Sequence, residues 1–251
     1  AVLGFDKDEW YQLLSQASDM EPMITQQRAI MDAYDPKRRI GLIVDEWGCW
    51  HPDGSGPSAG KNLFEQQVTM RDAIVSAITL NIFNNHSDKV VMGNVAQLVN
   101  NLHALFLSSE DNLIQTPNYH VFDMFKGHQG NTAVRSLVET DEVEFENKHR
   151  NRKDQIAALS CSTSISEKTL TLTLANLRYD DACDIRIQLR GATAGGLSKK
   201  AELRADDPHS HNTFEAPDTV EIDWSEVELV GDSFNIDLNA ASVVMLEIPL
   251  V

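Results

Sequence analysis

Apolar and polar positions follow two rhythms along this chain, and the change falls near Gly130. Upstream, Met23, Ile24, Gln27, Ile30, Met31 and Tyr34 recur at helical spacing and predict one helix. Ser18 with Glu21 forms a capping-box signature, Pro22 suits the opening turn, and Asp35-Pro36 ends the element. Ile40 to Val44 is a continuous apolar run, the pattern of a strand covered on both faces. Phe64, Val68, Arg71, Val75, Ile78 and Ile82 then predict a long amphipathic helix from Leu63 to Phe83. Val90 to Val95 reads as a second strand, Ala96 to Leu107 as another helix, and Thr116-Pro117 opens a further helix through Phe125. Helix, strand, loop, helix, strand, helix is the order of repeated β/α units on a parallel sheet.

Downstream of Gly130 the period shortens to two. TLTLTL (Thr169 to Leu174), DIRIQLR (Asp184 to Arg190), VEIDW and FNIDLNAASVVMLEIPL alternate apolar with polar residues. The last predicts a hairpin around Asn239 to Ser242, and the set predicts an antiparallel β-sandwich. The expected fold class is α/β plus all-β, with residues 1–130 carrying the β/α units and 131–251 the sandwich. DEVEFENKHRNRKD, residues 141–154, is a mixed charge run expected on a solvated edge of that sandwich.

With 251 residues, 42% of them hydrophobic, the chain can bury a sizeable core. Its net charge of −17 argues against nucleic acid or an anionic membrane as partner, because phosphates are bound by Lys and Arg. A neutral substrate fits better. Cys49, Cys161 and Cys183 give an odd count without C-x-x-C spacing, which excludes a dense disulfide framework and favours a reducing compartment. No apolar run is long enough to span a bilayer, and AVLGFDKDEW lacks a basic or apolar leader pattern. A cytoplasmic location is expected, with secretion the alternative if residues precede Ala1. No P-loop, G-x-G-x-x-G or G-x-S-x-G appears, so no cofactor and no serine chemistry are expected. DDPHSH (Asp206 to His211) offers metal-ligand types in a loop where such side chains are usually solvated, and no metal site is expected. The histidines at 86, 103, 120 and 128 are expected to serve core or surface roles in helices or at their ends.

The segment IGLIVDEWGCWHPDGSGPSAG, Ile40 to Gly60, concentrates the chemistry. Two acids, Asp45 and Glu46, leave an apolar strand beside Trp47 and Trp50. In parallel β/α architectures the reactive groups collect at the carboxyl ends of strands. Indole faces pack on the C–H faces of sugars, and a carboxylate suits the oxocarbenium-like transition state of glycosidic cleavage. A structural reading competes: acids after a strand also cap the next turn, and tryptophan also fills cores.

IVDEWGCW resembles the nucleophile motif of glycoside hydrolase family 51, the α-L-arabinofuranosidases. FEQQVTMRDAIVSAITLNIFNNHSDKVVMGNVAQLVNNLHALFL and TPNYHVFDMFKGHQ resemble the same family in the same order, so the likeness runs from about Glu9 to about Gln129. It implies that Glu46 is the covalent nucleophile of a retaining, exo-acting enzyme that removes terminal arabinofuranosyl units from arabinan or arabinoxylan. It implies that Trp50 is an aromatic wall of the sugar pocket and that Gln97, in NVAQ, contacts substrate. Asp45 is expected to accept hydrogen bonds that hold Glu46. Retention requires a second carboxyl group about 5–5.5 Å away. The family places it in an Asn-Glu pair, and this sequence contains none. The acid/base, with the sixth-strand His and Tyr, is therefore expected upstream of Ala1. The chain then holds the last two to three units of a (β/α)8 TIM barrel and a jelly-roll-like sandwich. The partners implied are an arabinose-containing saccharide, the upstream half of the same enzyme and further copies of it, a hexamer by resemblance. A related β-glucan- or xylan-active glycosidase and a non-catalytic carbohydrate-binding fragment are the alternatives.

Overall fold

The computed structural model describes residues 2–52, 56 and 64–251. Its first part comprises α1 (Lys7–Ser18), α2 (Met20–Tyr34), β1 (Leu42–Trp47), α3 (Met70–Asn85), β2 (Val90–Val95), β3 (Phe106–Ser109), β4 (Asn112–Gln115) and α4 (Pro117–Phe125). Strands follow: β5 (Thr132–Val134), β6 (Glu142–Asn147), β7 (Arg152–Ala157), β8 (Leu159–Ser166), β9 (Thr169–Asn176), β10 (Cys183–Gln188), β11 (Ala194–Leu203), β12 (Ile222–Gly231), β13 (Ser233–Leu238) and β14 (Ser242–Pro249).

Helix α1 has no counterpart among the elements that the apolar pattern predicts. Asp6 accepts from the Glu9 amide at 2.9 Å and Glu9 accepts from the Asp6 amide at 2.9 Å, a reciprocal capping box. Ser18, expected to cap α2, instead ends α1 and returns its hydroxyl to the Leu14 carbonyl. The Asp19 side chain makes no cap bond to α2, so that helix opens from a turn rather than a box. Helix α3 begins at Met70, not Leu63, because Asp72 accepts both the amide and the hydroxyl of Thr69 and fixes the start there. Ala96 to Leu107 is not a helix. Asn100 and Leu102 take left-handed backbone angles, and Asn100 exchanges side-chain bonds with the Ser108 amide and carbonyl, shaping a loop that feeds the β3–β4 hairpin.

Helix α3 is the centre of the molecule. Thirteen of its sixteen residues are buried, so the amphipathic reading is replaced by a helix enclosed on all sides. It shares one core with α1, α4, the β1–β2 pair and one face of a six-stranded antiparallel sheet, ordered β12-β11-β14-β9-β8-β5. Trp10 anchors this core, fully buried with its Nε1 donating to the Leu177 carbonyl at 2.9 Å. On the opposite face of the sheet, Leu170, Leu172, Leu174, Val244, Leu246 and Ile248 share a second core with Ile236 and Leu238 of the β10–β13 pair.

The period of two in β9 therefore separates two buried faces. Thr171 and Thr173 point away from the leucines and are as buried as they are. The hairpin expected at Asn239 to Ser242 does not form. β13 pairs with β10, β14 pairs with β9 and β11, and the intervening residues carry the chain from one sheet to the other. The charge run at 141–154 forms the β6–β7 hairpin, whose Phe145 and Ile156 enter the core beside Tyr11. β1 and β2 pair in parallel, as expected for β/α units. They are not covered on both faces, however: Ile43 is 46% exposed and Val91 64%, because among the described residues these two strands make up the whole of their sheet.

Candidate active site

The β1–β2 pair sets the geometry. Val44 stands opposite Gly93 and Trp47 opposite Val95, so Asp45 and Glu46 share the single position facing Asn94. Such an irregularity re-aims side chains at the end of a strand. Glu46 is exposed there, while Trp47 turns inward, stacked on Phe122 at 5.9 Å and edge-on to Phe83. Asp45 is also exposed and accepts no hydrogen bond among the described residues, against the expectation that it braces Glu46.

Gln97 lies two residues beyond β2, exposed, at the exit adjacent to that of Glu46. The two exits are laced together. The Ala96 amide donates to the Trp47 carbonyl at 2.9 Å, the His103 amide to the Ala96 carbonyl at 2.6 Å, and the Gln97 amide to the Asn101 carbonyl at 3.2 Å. Trp50 follows on the β1 side, 69% exposed and edge-on to Phe64 at 5.4 Å. Glu46, Trp50 and Gln97 thus share the carboxyl end of the parallel pair, with no hydrogen bond linking their side chains. Most of HPDGSGPSAG lies outside the described residues.

Beneath this surface is a buried polar cluster that positions the loop. Gln66, itself buried, accepts from the His51 amide and donates to the Cys49 carbonyl at 3.2 Å. His51 meets Asp72 through Nε2 at 2.8 Å. Burial alone would raise the Asp72 carboxyl; the positive charge and hydrogen bond of His51, with help from His103 and Arg71, hold it far below the usual range. Asp72 therefore serves two elements, capping α3 and tying down the chain just past Trp50. Gly48 has φ of +138°, and a Cβ there would stand 2.5 Å from the His103 Cβ, so only glycine lets the two loops pass. Burial also pushes the Cys49 thiol well up and lowers His103 to about 4, leaving both uncharged near neutrality. The sequence singled out none of Gln66, His51 and Asp72 as a group. The DDPHSH loop holds no converging ligand set: His209 bridges Asp207 and the Phe5 carbonyl, and His211 turns back to the His209 carbonyl.

Residues 45–242 match the family model described as the alpha-L-arabinofuranosidase C-terminal domain. The chain belongs to the glycoside hydrolase family 51 α-L-arabinofuranosidases. It is 31% identical over 245 residues to an intracellular exo-α-L-arabinofuranosidase of Bacteroides ovatus, covering 97% of this chain and 46% of that protein. The GH51 arabinofuranosidase structure from Xanthomonas axonopodis pv. citri superposes with a TM-score of 0.90 at 30% identity, over 99% of this chain and 49% of that one. An arabinose complex of the Thermotoga maritima α-L-arabinofuranosidase gives 0.80 at 25% identity, over 97% and 51%. The chain thus spans about half the length of these relatives and corresponds to their C-terminal part. None of its helices, among the described residues, is long and apolar enough to cross a membrane.

Proposed function

We propose that this chain is the C-terminal portion of a retaining, exo-acting α-L-arabinofuranosidase, with residues 1–130 completing a (β/α)8 barrel and 131–251 forming its β-sandwich domain. The observation that carries the reading is an exposed glutamate at the exit of one parallel strand, with Gln97 at the exit of its neighbour. Glu46 attacks the anomeric carbon, the glycosidic oxygen leaves, and a covalent arabinofuranosyl-enzyme forms that water then hydrolyses. Gln97 donates its amide to a sugar hydroxyl or to Glu46. Trp50, exposed beside Phe64, presents a face to the sugar ring. The substrate is a terminal arabinofuranosyl unit of arabinan or arabinoxylan oligosaccharides, in keeping with the arabinose complex of the Thermotoga relative.

The acid/base belongs to the upstream half of the enzyme. Apolar exposure supports this division: Ile43, Val91 and Met92 on the strands, with Met23, Ile30 and Tyr34 on α2, are uncovered in this chain. Neighbouring β/α units would cover them and pair the open edges of β1 and β2. Residues 1–251 expressed alone should associate or aggregate and release no nitrophenol from the arabinofuranoside. Co-expression with the upstream half should restore solubility and turnover together. A soluble, fully active isolated chain would contradict the division and place the acid/base among its own residues.

A further inference from the structure

Three side chains that take no direct part in the proposed glycosidic chemistry converge beneath the β1 exit. Cys49 Sγ, a carboxylate oxygen of Asp72 and a ring nitrogen of His103 lie within 4.8 Å of one another, and all three residues are buried. They come from three segments: the loop after β1, the first turn of α3 and the loop after β2. His103 Nδ1 stands 3.9 Å from Asp72 Oδ1. The tautomer of His103 follows from its other nitrogen. Ser76 Oγ donates to Asn118 Oδ1 at 3.1 Å and so must accept from His103 Nε2, 2.8 Å away. Nε2 carries the proton, and Nδ1 keeps its lone pair. That lone pair has no hydrogen-bond partner, in a residue only 1% exposed. Native proteins rarely leave a buried acceptor unanswered, and one aimed at a thiol and a carboxylate is answered best by a cation.

We propose that Cys49, Asp72 and His103 bind a divalent cation of the zinc class. One sulfur, one imidazole nitrogen and one carboxylate oxygen are the donors such an ion prefers. Tetrahedral bonds of about 2.0–2.3 Å place ligand atoms about 3.3–3.7 Å apart, so closure by about 1 Å suffices. Three protein ligands leave the fourth tetrahedral position to water. The Ser76–Asn118 pair already orients His103 through its far nitrogen, as outer partners do at metal sites. Loading is a proton exchange without redox change. The Cys49 S–H bond breaks, a sulfur–metal bond forms and the proton leaves to solvent. The bound ion would join both strand exits to α3 and fix the loop that carries Glu46 and Trp50.

The intact protein, purified without chelator, should hold one zinc per chain by elemental analysis. After exchange with cobalt(II) it should show thiolate-to-metal charge-transfer absorption in the near ultraviolet. Cys49→Ala should lose that absorption and at least tenfold in zinc affinity with unchanged far-ultraviolet circular dichroism, while Cys161→Ala and Cys183→Ala keep both. X-ray absorption at the zinc edge of the wild-type protein reads one sulfur ligand, and this keeps the test decisive if Cys49→Ala does not fold. Absence of the charge-transfer absorption, or a zinc environment without sulfur, would overturn the site and leave the cluster a hydrogen-bonded plug. These readouts are independent of arabinofuranosidase activity.

Discussion

Asn81, in the middle of α3, is the polar lock between that helix and the six-stranded sheet. Fully buried, it donates to Ser160 Oγ at 3.1 Å and accepts from Ser162 Oγ and Thr173 Oγ1, each at 2.8 Å. Asn81→Ala removes all three bonds at once. Ser160 is partly exposed and recovers water, but Ser162 and Thr173 have no such recourse. Their hydroxyls lie 3.0 Å apart and can pair with each other, with His128 Nε2 3.0 Å from Thr173 Oγ1 as a further partner. Three lost bonds at about 1 kcal/mol each put the cost of the substitution at about 2–4 kcal/mol. For a chain of this size that lowers Tm by about 5–15 °C. Asn85→Ala is the control. Asn85 is exposed and makes a single bond to the Cys161 carbonyl, so its loss should cost under about 1 kcal/mol. Calorimetry of the intact protein reads both, and a cycle with Thr173→Val should give a coupling of about 1 kcal/mol or more. Equal shifts for the two asparagines would refute the account of this interface.

Gln97→Ala should lower kcat/KM by about ten- to thirtyfold, the loss of one hydrogen bond of about 1–2 kcal/mol in the transition state; an unchanged value with the fold intact would mean the amide faces away from the sugar. His128 is buried between Ser164 and Thr173, and burial lowers its pKa to about 4, below its ordinary value of 6.5. The unfolded chain therefore takes up a proton first, so this contribution is complete above about pH 6.5 and is lost as pH falls towards 4, at most about 3 kcal/mol. His128→Gln should flatten urea stability between pH 7 and 4, and equal acid losses in both proteins would exclude His128 as the source.

Local signals carried the elements whose residues decide their own conformation. Thr116-Pro117 opens α4 as read, β2 runs from Val90 to Val95 as read, and the apolar run after Ile40 becomes β1. Where a distant partner decides, the pattern misleads. Leu98, Leu102 and Leu105 mimic a helical stripe, yet the lacing of two strand exits holds their backbone in a loop. The alternation of β9 looks half-solvated because threonine is polar, and the opposing Asn81 and His128 make Thr173 a core residue. Asn239 to Ser242 resembles a hairpin turn, but the partners of β13 and β14 lie 40 to 80 residues upstream. The candidate site divides the same way. Glu46 and Trp50 sit in one recognisable run of sequence. The Cys49–Asp72–His103 cluster is scattered over three segments, and its spacing has meaning only after α3 is docked against both loops.

The central claim is that Glu46 becomes covalently bonded to the sugar. A slow-turnover arabinofuranoside, with fluorine at the 2-position and a good leaving group, should trap that intermediate in the complete enzyme. Proteolysis and tandem mass spectrometry should then find one fluoroarabinosyl group per active site, on the peptide containing IVDEWGCW and at Glu46. Labelling of Asp45, of another carboxylate, or of none while the enzyme remains competent for turnover would contradict it.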